Sequence, residues 1–131
     1  MTISMVLEVE QGENINTISW VLSKMGASYD QSDNFLKGNL KQSNCFFSFN
    51  YCVKPERIVA EQAKEGWLVG INGIFDCRID SLKECADDIE LFLRIFFKKS
   101  KSRFVLSFQY ESIYAVRGIS DVMFIKRMID D

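Results

Sequence analysis

Four cysteines, a few serines and several close-set carboxylates are the side chains with which this 131-residue chain would have to do chemistry, because it contains no histidine. That absence removes the group that titrates near neutral pH and the commonest metal ligand. Cys45, Cys52, Cys77 and Cys85 show no Cys-x-x-Cys spacing, so a zinc site would need all four from separate elements. They read as buried, reduced thiols, and neither a metal nor a cofactor is expected. Arg78 and the start of the helix that follows can lower a thiol pKa at Cys77 or Cys85, yet Cys85 falls on an apolar helical face, where cysteine behaves as a small hydrophobe.

The oxygen nucleophiles and acids fare no better. Ser107 and Ser112 have no histidine and no Ser-x-x-Lys neighbour to activate them. Asp87 and Asp88 diverge by about 100° around a helix, too far to flank one glycosidic bond. Gly70-Ile71-Asn72-Gly73 lacks the glycine spacing of a phosphate loop and reads as a turn. No catalytic residue is expected, and the chain reads as a non-enzyme.

The elements that position these residues follow from periodicity. Ile3 to Val9 reads as a strand. Asn14 caps a helix whose apolar positions are Ile15, Ile18, Val21, Leu22 and Met25, and Gly26 supplies a left-handed terminus. The polar run from Ser28 to Asn34 reads as a loop. Phe35 to Leu40 and Cys45 to Val53 form a hairpin about residues 41–44, with Cys45, Phe47, Phe49 and Tyr51 on one face.

Pro55 interrupts regular structure, and Glu56 to Glu65 reads equally as helix or edge strand. Trp67 to Ile71 and Ile74 to Ile79 read as two strands about the turn dipeptide Asn72-Gly73. A long helix spans Ser81 to Lys99, capped by Asp80 or by Ser81 with Glu84 in a capping box, its apolar face made of Leu82, Cys85, Ala86, Ile89, Phe92, Leu93 and Phe96. Phe104 to Tyr110 and Ile113 to Arg117 pair as strands, and Ser120-Asp121 starts a short last helix with Val122, Ile125, Met128 and Ile129 inward. The expected fold is a single α+β domain over residues 1–131, a mostly antiparallel sheet with helices packed on it, in the order β-α-β-β-(β)-β-α-β-β-α.

Charge and composition narrow the class of partner. Apolar residues make up 47% of the chain and eleven residues are Phe, which excludes a disordered class. Residues 1–93 carry fourteen acids against eight bases, and residues 94–131 carry four against eight. With no signal-like N-terminus and no long apolar run, a cytosolic protein without membrane contact is expected. Asp80, Glu84, Asp87 and Asp88 recur at helical spacing opposite the apolar face, where they complement the helix dipole or steer a basic partner. Tyr29, Asp30, Asp33, Glu84, Asp87, Asp88 and Glu111 are the candidate partner-binding residues. Arg94, Lys98, Lys99, Lys101 and Arg103, interleaved with Phe96, Phe97 and Phe104, open the alternative of a single-stranded nucleic-acid binder, although Phe96 and Phe104 are expected inside.

Gly66-Trp67-Leu68-Val69, the helical Cys85-Ala86-Asp87-Asp88-Ile89 with Phe92, and the stretch Phe104-Val105-Leu106-Ser107-Phe108-Gln109-Tyr110-Glu111-Ser112-Ile113-Tyr114-Ala115-Val116-Arg117 resemble the immunity proteins of bacterial contact-dependent growth inhibition and related polymorphic toxin systems. The likeness covers about half the chain. It implies a small cytosolic non-enzyme that binds the C-terminal domain of one toxin, often a nuclease, and covers its active site or an adjoining surface. It transfers no individual contact residue.

Overall fold

The computed structural model describes residues 2–60 and 66–129, and it builds them around one eight-stranded antiparallel sheet with two helices. The strands are β1 (Thr2–Glu10), β2 (Ser28–Gln31), β3 (Phe35–Asn39), β4 (Phe46–Arg57), β5 (Leu68–Arg78), β6 (Phe104–Phe108), β7 (Ser112–Arg117) and β8 (Val122–Phe124). The helices are α1 (Ile15–Lys24) and α2 (Leu82–Lys99), the latter preceded by a 3-10 turn over Ile79–Ser81. Across the sheet the order is β2-β3-β4-β5-β1-β6-β7-β8, which is the α+β architecture expected. No helix among the described residues is long and apolar enough to cross a membrane.

Alternation along the central strands sends Met5, Leu7, Val9, Phe47, Phe49, Ile71, Phe75 and Leu106 to the face that receives both helices. Ile18, Val21 and Leu22 of α1 and Ile89, Phe92, Leu93 and Phe96 of α2 complete that core. Phe92 is its hub: it stacks on Phe49 with ring centroids 5.5 Å apart and meets Phe75 edge-on at 5.5 Å. At the start of α1 the Asn14 side chain accepts the Asn16 N–H at 2.8 Å, and Gly26 adopts φ +73° beyond its end.

Several local readings give way to pairing with distant strands. Ser28–Gln31 is a strand and not a loop. Gly38 lets β2 approach, since a Cβ there would lie 2.0 Å from the Ser28 carbonyl oxygen. Asn72-Gly73 makes no turn but sits inside β5, paired with Glu8 and Leu7 of β1 on one side and with Asn50 and Phe49 of β4 on the other. The glycine is needed for packing: the Phe49 ring passes 2.3 Å from where its Cβ would be.

The expected last helix is instead β8, which hydrogen-bonds along β7, and Ile125 faces solvent. Here an unpaired strand edge outweighs a weak helical spacing. Ser81 precedes α2 without a side-chain cap bond, so the capping box does not form. Tyr51 shares the face of Cys45, Phe47 and Phe49, pairing with Ile71, but is exposed there. Around Pro55, β4 continues as a bulged strand to Arg57, its register with β5 shifting between Tyr51 and Glu56. Of the undecided stretch Glu56 to Glu65, Glu56 and Arg57 are strand, and the portion 61–65 lies outside the described residues.

Candidate binding surface

Strand alternation also determines what the opposite face of the sheet displays. Across β2, β3, β4 and β5 the register aligns Ser28, Asn39, Phe46 and Asp76 in one row and Asp30, Lys37, Ser48 and Ile74 in the next. A third row runs Phe35, Asn50 and Asn72. Both helices pack on the other side, which leaves Phe35 36% and Phe46 41% exposed. Asp30, Lys37 and Asn50 are exposed beside them. The Lys37 ammonium stands 5.8 Å from the centre of the Phe35 ring.

Toward β1 this face closes. The Ser4 hydroxyl donates to Asp76 Oδ1 at 2.8 Å, and Asn72 Nδ2 donates to the Tyr110 hydroxyl at 3.1 Å. Beyond them a second small core of Ala60, Trp67, Val69, Val105 and Ile113 covers the sheet. The 58–60 segment is held down there by Glu8, whose carboxylate accepts Val59 N–H at 2.7 Å and Ala60 N–H at 3.1 Å. Burial pushes the Glu8 carboxyl above the usual carboxylate range, against the lowering effect of these two bonds.

The acidic residues singled out from the sequence do not converge. Asp30 lies on the open face and Asp33 in the β2–β3 turn, beside a hollow lined by Asn14, Ile15 and Tyr51. Tyr29 points to the helical side, its hydroxyl 2.7 Å from Ser23 Oγ, and serves to pin β2 on α1. Glu84 and Asp87 are exposed on α2, in the layer opposite the open face. Glu111 sits in the β6–β7 turn. At about 4.8 Å per strand, six strand steps place β7 about 29 Å from β2, so one contact patch cannot centre on both Asp30 and Glu111.

Asp88 corrects the sequence reading. It is 3% exposed and accepts the Ser43 N–H at 2.9 Å, so it holds the 41–44 turn and offers nothing to a partner. Three residues of the basic junction, Arg94, Lys99 and Arg103, are likewise engaged within the chain. Arg94 bonds Asp121 at 2.7 Å, Arg103 bonds Glu10 at 2.6 Å, and Lys99 stands over the Trp20 ring at 4.6 Å. Phe96 and Phe104 are buried in the core.

Phe35, Phe46, Asn50 and Asp76 were missed as surface residues, although one signal was available. In Phe46-Phe47-Ser48-Phe49 adjacent aromatics must face opposite ways, so placing Phe47 and Phe49 inside puts Phe46 outside. Compared with known proteins, the chain gives no significant match to a family model, a curated sequence or a solved structure.

Proposed function

We propose that this chain is an immunity protein that binds and neutralises a cognate bacterial toxin domain, a basic nuclease, in the cytosol, by laying the open sheet face over its active site or an adjoining surface. The observation that carries this reading is that face itself: two half-exposed aromatics among amides and hydroxyls, with the acids Asp30 and Asp76 and one base, Lys37, among them. Aromatic anchors supply contact energy, and acids steer a basic partner. The likeness of residues 66–69, 85–89 with Phe92, and 104–117 to immunity proteins points the same way.

Four strands and five residues per strand give a planar footprint of about 300 Å², well below the roughly 800 Å² that each partner contributes to a standard interface. The flanking β2–β3 turn with Asp33 and the Tyr110-Glu111 turn are therefore expected to join the contact. Co-expression with the toxin encoded beside this chain tests the reading. Wild type should restore growth, and Phe46→Ala should weaken the complex by about 5- to 30-fold. Cells killed equally with and without the chain would end the proposal; unchanged affinity of Phe46→Ala would move the interface off this face.

A further inference from the structure

The fold gathers three of the four cysteines, although no spacing in the sequence pairs them. Cys45 ends the 41–44 turn and lies across from Cys77, one step beyond the Phe46–Asp76 pair of β4 and β5. Cys85 comes down from the first turn of α2. All three sulfurs lie within 4.8 Å of one another, Cys45 and Cys77 at 3.9 Å, and the three residues are at most 1% exposed. Cys52 stands apart, on the other face of the sheet, against the second core.

The spacing is that of a metal-ligand triangle. A tetrahedral ion with Zn–S bonds of about 2.3 Å requires sulfurs about 3.8 Å apart, so side-chain shifts of no more than about 1 Å close the triangle. An oxygen donor stands at the same spot. Ser43 Oγ accepts the Cys45 N–H at 3.1 Å, which sets a hydroxyl oxygen beside the first of the three cysteines. Ser43 is itself held by Asp88 through its own N–H, which orders the donor set from outside.

We propose that Cys45, Cys77 and Cys85 form a binding site for one soft divalent cation of the zinc class, with the fourth position open to the Ser43 hydroxyl or to water. Thiolates select soft ions, and hard cations prefer oxygen. Charge chooses the valence: three thiolates around a divalent ion leave one net negative charge in a buried place, whereas a monovalent ion would leave two. The reaction is an exchange without change of oxidation state. Three S–H bonds break, three metal–sulfur bonds form, and three protons pass to solvent.

The test titrates the full chain, reduced with a phosphine, with Cd²⁺ alone and then with Zn²⁺ in competition. One equivalent of cadmium should produce the ultraviolet thiolate charge-transfer band, zinc should abolish it, and close to three protons should appear per ion bound. Cys85→Ser should weaken binding by more than the roughly 10- to 100-fold typical of losing an outer-shell partner, while Cys52→Ser binds as wild type. Should Cys85→Ser not fold, the wild-type titration decides alone. No band at one equivalent, or fewer than two protons released per ion, overturns the proposal, as does a band that Cys52→Ser removes.

Discussion

Glu8→Ala removes the acceptor from which the 58–60 segment hangs. The Glu8 side chain is 1% exposed and takes two main-chain donors, Val59 N–H and Ala60 N–H. Each hydrogen bond to a charged group is worth about 1.5–3 kcal/mol, but deleting the carboxylate also relieves its desolvation, and water reaches Val59 more readily than the buried Ala60. The expected net loss is about 1–3 kcal/mol, a fall in Tm of about 3–12 °C for a chain of this length. Glu8→Gln keeps the shape and one acceptor oxygen while removing the charge.

The two variants separate hydrogen bonding from electrostatics through pH. Because burial raises the Glu8 pKa, the folded state holds this proton more tightly than the unfolded one. The group's stabilising effect is therefore complete below the ordinary carboxylate range and is lost as pH rises through the folded value. Urea melts of wild type and Glu8→Gln from pH 4 upward should show wild type losing stability relative to the glutamine variant. Glu10 and Asp121, whose pKa values are lowered by Arg103 and by the Val122 N–H respectively, act in the opposite direction and cancel in that difference. A flat difference, or Glu8→Ala within about 0.5 kcal/mol of wild type with unchanged exchange of the Ala60 amide, would refute the reasoning.

Gly73→Ala should cost at least about 1–3 kcal/mol, because its methyl group meets the Phe49 ring in a packed core; near-ultraviolet circular dichroism should report the displaced aromatic cluster. Gly38→Ala should unpair β2, since its Cβ would strike the Ser28 carbonyl, and hydrogen exchange should lose protection over residues 28–31 while β5 keeps it. Asp88→Ala leaves the Ser43 N–H without an acceptor and should cost about 1–3 kcal/mol, with Cys45 reacting faster with a thiol reagent as the 41–44 turn loosens.

What local pattern could settle, it settled. The apolar spacing and caps of α1, the broad face of α2, the hairpin of β3 and β4 and the pair β6–β7 stand where periodicity placed them, because each signal lies within one element. Asp88 was half legible: it is three residues from Cys85 and four from Phe92, which places it on the apolar side of α2, but the donor that satisfies it comes from a turn 45 residues away. β2 and β8 carry weak strand sequences and exist because a sheet edge offers them hydrogen bonds. Asn72-Gly73 prefers a turn in isolation, yet strands on both sides hold it extended.

The same division governs function. Composition alone established a chain without histidine, rich in phenylalanine, whose acids and bases are unequally distributed. Which acids share a surface with Phe46, and that Cys45, Cys77 and Cys85 meet at all, depended on strand register. Register is a pairing between residues far apart in the chain, selected by burying one whole face of the sheet at once.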